Sequence, residues 1–196
     1  MRSFALKFVP GDRDAPEVYI HRKLQSLKSD ENHTVPIFDT WYLANPRGTV
    51  IITGLCGRNI GIYRNLQRYF FYVAKQLVEA VTFMHKNGVA HNCIDVDSVV
   101  VSSEGRLTFT DFGSAVSTEN EDAEVVAKLI NIDTSMCGEL LMFMCEIASL
   151  KGWYCNDGEN LVADLSRISE KLVENEIELK GALQSINLLH SSSTKQ

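Results

Sequence analysis

The sequence predicts an α+β chain, a small sheet with one helix followed by a mostly helical half. Three observations carry that expectation. The first 57 residues hold three short apolar runs of strand length and a single helical pattern. A long amphipathic stretch follows at 66–86. Beyond residue 120 every apolar stretch recurs at helical spacing.

The elements can be justified in order. Residues 3–9 form a strand-like run closed by the turn Pro10-Gly11-Asp12. Pro16 sits where a first helical turn tolerates proline, and Ile20, Leu24 and Leu27 then recur at helical spacing. Val35–Trp41 and Thr49–Thr53 read as strands separated by Asn45-Pro46-Arg47-Gly48. The stretch Leu66–Lys86 places Phe70, Val73, Leu77, Val81 and Met84 on one stripe, and Asn87-Gly88 stops it. Ser98–Ser102 and Arg106–Thr110 read as a hairpin around Ser103-Glu104-Gly105. Four helices are expected after that: Glu121–Ile130, a buried Cys137–Leu150, Leu161–Val173 and Glu178–Leu189. The segment 191–196 is expected to be a flexible tail.

Composition narrows the functional classes. With 196 residues, 45% hydrophobic and 22% charged, the chain can bury a sizeable core. A net charge of −6 with no basic patch argues against a nucleic-acid partner or an anionic membrane. Five cysteines (Cys56, Cys93, Cys137, Cys145 and Cys155) are odd in number and form no CxxC pair. A disulfide framework and a zinc site are therefore poorly supported. The N-terminus lacks the apolar core of a signal peptide, and no run approaches the ~18 apolar residues of a membrane span. The expectation is an intracellular protein, cytoplasmic or nuclear.

Chemistry becomes readable at Asp111-Phe112-Gly113, directly after the second hairpin strand. Twenty residues upstream, His91 opens His-Asn-Cys-Ile-Asp-Val-Asp-Ser at the end of the long helix. Together these resemble the magnesium element and the catalytic loop of protein kinases. Phe4-Ala5-Leu6-Lys7 resembles the kinase strand that carries the nucleotide lysine, and the helix from Glu17 resembles the one whose Glu pairs it. Asp133-Thr-Ser-Met-Cys-Gly138 resembles the start of the buried helix whose Asp ties down the catalytic loop. The likeness runs in family order from residue 4 to about 150. It implies a kinase-like fold with a reduced N-lobe (strand-helix-strand-strand) over 1–57 and a mainly helical C-lobe over 58–190.

The resemblance also shows departures. Only six residues precede Lys7, so the first two strands and the Gly-rich loop are expected to be absent. Cys93 stands at the catalytic-base position, and a thiol of reference pKa about 8.5 is mostly neutral at pH 7. Asn92 replaces the usual Arg, Asp95 the usual Lys, and Ser98 the magnesium-binding Asn. From Asp111 to Asp133 there are 22 residues with no Ala-Pro-Glu triplet, so the family's substrate platform is also expected to be absent.

Lys7, Glu17 and Asp111 remain as remnants of an ATP and magnesium site, with Asp111 the metal-facing group. No cofactor is required under this reading: bracing of the fold by the Lys7–Glu17 ion pair is favoured over weak binding of ATP and magnesium, which is the alternative. The implied function is that of an inactive serine/threonine-type kinase homologue, not an enzyme, that regulates a protein partner such as a kinase or its substrate. The alternatives are a divergent active kinase using Asp95 or Asp97 as base, or a non-functional fragment.

Overall fold

A computed structural model describes residues 3–13, 15–62, 66–152 and 157–193. The chain is a mixed α+β structure with small antiparallel sheets and five helices among the described residues. Strand β1 (Phe4–Pro10) leads into α1 (Pro16–Ser26), then β2 (Ile37–Ala44) and β3 (Arg47–Gly54). These strands form an antiparallel sheet of order β1-β3-β2, in which Lys7 pairs with Ile51 and Phe8 with Val50. Alternation puts Val9 and Ile51 on one face, where they pack with Val18 of α1 as a small buried cluster. Proline at the start of α1 and Glu17 in its first turn suit a helix N-terminus. Gly48 allows a close approach, because a Cβ there would lie 2.4 Å from the ring of Phe8.

The second part begins with β4 (Arg58–Asn59) and α2 (Leu66–Lys86), whose stripe is buried as its periodicity requires. Gly88 ends α2 with φ +66°, a conformation that other residues rarely adopt. Strands β5 (Val89–Ala90), β6 (Val99–Val101), β7 (Leu107–Phe109) and β8 (Val116–Ser117) follow. They form a β4-β6-β7 sheet and a β5-β8 ladder. The segment around Thr34 lies beside β7: Phe109 N–H donates to the His33 carbonyl at 2.7 Å, and Val35 N–H to that of Phe109 at 2.9 Å. This pairing and Ile20 and Leu24 of α1, which enter the main core, join the two parts.

Three expectations need correction. Glu121–Ile130 and Cys137–Leu150 are one helix, α3 (Ala123–Leu150), not two. The helix runs uninterrupted through Asp133-Thr134-Ser135, between the two expected segments. Thr134 Oγ1 donates back to the Ile130 carbonyl at 2.8 Å, and Ser135 Oγ to the carbonyl of Val173 at 3.1 Å. Asp133 is therefore mid-helix and not near a helix start. Second, α4 spans Asp157–Val173, longer than the expected Leu161–Val173. Third, α5 (Leu179–Ser193) continues through Ser191–Ser193, which were expected to be tail, because nothing in that stretch breaks a helix; 194–196 lie outside the described residues, as does Cys155. No helix among the described residues is long and apolar enough to cross a membrane.

Candidate nucleotide and phosphoryl-transfer site

Lys7 stands on the α1-facing side of β1, and its Nζ meets two carboxylates. It donates to Glu17 Oε1 at 2.5 Å and to Asp111 Oδ1 at 2.6 Å. Glu17 is buried at the start of α1, while Asp111 is exposed just beyond β7. Asp111 Oδ1 also accepts the Gly113 N–H at 2.9 Å, so the Asp-Phe-Gly turn folds around its own carboxylate. Partial burial pulls the Lys7 pKa down, but the bonds to Asp111 and Glu17 outweigh it and the net shift is upward. For Asp111, burial works to raise the pKa, and the Lys7 and Gly113 hydrogen bonds more than reverse it. Both groups are thus held in their charged forms.

Behind this ion triad runs a stack of rings. His21 lies one helical turn after Glu17 on the same face, with its ring 4.8 Å from that of Phe112. Phe112 in turn lies 5.3 Å from His91, which also packs against Phe109 at 5.0 Å. Burial lowers the pKa of His21 to about 4, and burial likewise lowers that of His91. The His91 and Asn92 N–H groups each donate to Asp133 at 2.7 Å, and His85 Nε2 lies 2.9 Å from the same carboxylate. Asp133 is fully buried. Its three partners replace the water it has lost.

The loop after His91 holds the position expected for a base. Cys93 is exposed, and its Sγ lies 3.8 Å from Asp95 Oδ2. Desolvation and the nearby Asp95 and Asp111 carboxylates raise its pKa, so the thiol stays protonated at neutral pH. Asp95 Oδ1 accepts the N–H groups of Asp97 and Ser98 at 2.9 and 2.8 Å. Asp97 instead accepts from Asn59 Nδ2 of β4 at 2.7 Å. Ser98 is buried, with its hydroxyl donating to the Asp95 carbonyl and accepting the Asp95 N–H, both at 2.9 Å.

Magnesium keeps most of its shell as water and phosphate and needs only one or two protein carboxylates. Asp111, with one oxygen bound to Lys7 and most of its side chain exposed, fits that limited role. Ser98, turned into its own loop, does not. No group of three or more His, Cys, Asp and Glu residues that could hold a metal by itself occurs among the described residues. A cavity of about 250 Å³ adjoins Lys7, lined by Ala5, His21, Ile51, Val100 and Thr110 among others.

No family model matches the chain. Curated proteins do. It is 30% identical over 100 residues to CBL-interacting protein kinase 25 of Oryza sativa subsp. japonica, covering 51% of this chain and 18% of that protein. It is 34% identical over 70 residues to the probable serine/threonine-protein kinase RTK1 of Saccharomyces cerevisiae, covering 34% of this chain and 11% of that protein. The chain is protein-kinase-like. A third relative, the serine/threonine-protein kinase chk1 of Schizosaccharomyces pombe, is 33% identical over 57 residues, or 29% of this chain and 11% of that protein. The kinase-like chain thus spans less than a fifth of the length of each of these relatives, at low identity that fits a diverged member. These relatives overturn one expectation. They are named as serine/threonine protein kinases, so the missing motif residues do not make this chain a non-enzyme.

Sequence reasoning singled out Lys7, Glu17 and Asp111, and the structure brings all three together. It missed His21 and His85. The four-residue spacing from Glu17 was a usable signal for His21. For His85 there was none, because its partner Asp133 is 48 residues away.

Proposed function

We propose that this chain is a protein-kinase-related regulatory module built on a kinase-like fold, in which the Lys7 triad braces the strand half against the Asp-Phe-Gly turn. The observation that carries this reading is the position of Lys7 Nζ, within 2.6 Å of carboxylates from α1 and from the turn after β7. Both carboxylates already neutralise the lysine, so the brace needs no nucleotide. A protein partner, with a kinase or a kinase substrate as the class that the likeness suggests, is the target of such regulation. A thermal-shift titration with ATP, with and without magnesium, tests the bracing role. The reading expects Lys7→Met to lower Tm without nucleotide and ATP to leave the parent Tm unchanged. A magnesium-dependent rise that Lys7→Met abolishes would make the triad a nucleotide site instead.

A second reading, phosphoryl transfer with Asp95 as the base, has one observation in its favour. Asp95 Oδ2 lies 3.8 Å from the thiol at the base position, whereas the Asp97 carboxylate is held by β4. A carboxylate so placed is a candidate to accept a hydroxyl proton while Asp111 orients the nucleotide's magnesium. Labelled-ATP transfer to a generic acceptor, abolished by Asp95→Asn and by Asp111→Ala but retained in Asp97→Asn, is the outcome this reading expects. Equal transfer in the Asp95 and Asp97 variants would eliminate Asp95 as base.

A further inference from the structure

The sheet β1-β3-β2 is covered on one face only. Its α1-facing side is filled by Val9, Ile51 and Val18, and Lys7 points the same way. Cross-strand register puts the opposite side chains in rows: Phe8, Val50 and Trp41 in one, Leu6, Ile52 and Asp39 in the next. Phe4 and Phe38 end the face with an edge-to-face contact at 5.4 Å. Phe4 is 53% exposed, Leu6 69%, Phe38 56% and Trp41 55%, with Phe8 and Leu43 also exposed. Apolar side chains at i, i+2 and i+4 of β1 should be core-facing in a finished sheet. Here, among the described residues, nothing lies over them.

We infer that this outer face is the contact surface of a homodimer, in which two copies pack their β1-β3-β2 sheets face to face about a two-fold axis. This goes beyond the function proposed above by naming a surface and its occupant, and it does not depend on the Lys7 triad. Three observations select a second copy. The face carries a single charge, the Asp39 carboxylate on the edge strand β2, and no lysine or arginine. Its one carboxylate, Asp39, accepts the Trp41 indole N–H at 2.7 Å and the Thr40 N–H at 2.8 Å. Apolar rows of this kind are self-complementary in an isologous contact. Next, the acidic charge lies elsewhere: residues 1–57 hold 7 Lys and Arg against 6 Asp and Glu, and the rest of the chain holds 12 against 19. The outer face points away from α1 and the helical half beneath it, so two copies meeting there keep their acidic parts apart. Finally, the area is of the right order. Four aromatic residues that each bury ~150–250 Å² when fully enclosed, and here are about half exposed, offer with Leu6, Leu43, Val50 and Ile52 on the order of 500 Å² per copy. Two copies would then bury about 1,000 Å² in total, the lower bound for a specific interface. Sheets so packed would stand ~10 Å apart, with the Phe and Leu side chains interdigitating.

Sedimentation velocity from about 1 to 100 µM, the range of a modest interface, is the direct test. The expected result is a monomer–dimer equilibrium in the parent, at least tenfold weaker in Leu6→Glu and in Trp41→Glu. Leu150→Glu, at a residue 87% exposed at the end of α3, should leave the equilibrium unchanged. Circular dichroism of each variant checks that it is folded. A second readout comes from Trp153→Phe, which leaves Trp41 as the sole tryptophan. Its emission should shift to the blue as concentration rises. A parent that stays monomeric, a dimer indifferent to both face variants, or a Trp41 emission independent of concentration would each overturn the proposal.

Discussion

The strand half and the helical half of this molecule bury their residues in different ways. In the helical half, α2 runs through a core that α3, α4 and α5 close around it, and Leu77, Val78, Val81, Met84 and Leu141 are fully buried. In the strand half a cluster of three buried residues, Val9, Val18 and Ile51, holds one face of a three-stranded sheet, and the other face is open. The first has the packing of an independent core; the second has too few buried side chains to offset the ordering of its backbone alone. What joins the strand half to the helical half is therefore disproportionately important. That includes Ile20 and Leu24, the bridge of Thr34 to β7, the ring stack and the Lys7 triad. Polar contacts at the junction fix side chains from distant parts of the chain in relation to one another, as Lys7 does with Asp111.

The largest expected effect lies at Asp133. Replacing it with alanine strands the buried N–H of His91 and the part-buried N–H of Asn92 and removes the partner of His85. At ~1–3 kcal/mol for each unsatisfied group, Asp133→Ala should cost several kcal/mol in urea unfolding. Asp97→Ala, in the exposed loop, should stay within ~0.5 kcal/mol. Equal small losses would mean that the loop does not depend on α3. Next comes the helical core itself: Leu77→Ala should lose ~2–5 kcal/mol of global stability, as cavity-forming changes do. If hydrogen exchange then showed α1 and the sheet loosening as much as α2, the comparison would sharpen to one cooperative unit.

A third effect is set by pH. Burial holds the pKa values of His21 and His33 down at about 4, below their ordinary value of 6.5. The folded state therefore binds fewer protons than the unfolded state between those values. The stability these neutral rings contribute is fully present above pH ~6.5 and falls as pH drops toward 4. Chemical unfolding as a function of pH should show that decline, a few kcal/mol at most, and His21→Leu should flatten part of it. A flat profile between pH 7 and 4 would place these rings in contact with water. The smallest expected effect is that of Lys7→Met. With Lys7 40% exposed, its ion pairs contribute about 1 kcal/mol or less, a shift of a few degrees in Tm. The same change should increase hydrogen exchange at the α1 N-terminus more than in α2. Equal exchange in both helices would remove the junction role argued for the triad.

Local pattern accounts for much of what could be read in advance. The helix at 66–86 is legible to the residue because 21 consecutive positions keep one buried stripe and a glycine at positive φ ends it. The β6–β7 hairpin is legible from alternation around a turn. The reading of α3 as two helices failed for an equally physical reason. Asp133 and Ser135 are polar in the sequence, but their partners come from α2, from the loop at His91 and from the end of α4, while Thr134 bonds back to Ile130 within the helix. No local pattern reports a partner 40 residues away.

By itself, the sequence determined the α+β order, the buried stripes, the acidic balance and the ordered motifs that mark the chain as kinase-like. These depend on periodicity, turn chemistry and short patterns, all of which act within a few residues along the chain. Only the tertiary structure decided that Lys7 meets two carboxylates at once, that His21, Phe112 and His91 stack, and that Asp95 and not Asp97 turns toward Cys93. It alone decided which face of β1 is covered. Each depends on a contact between segments far apart in sequence, and such contacts are fixed by how the elements pack, not by the propensities of the residues that make them.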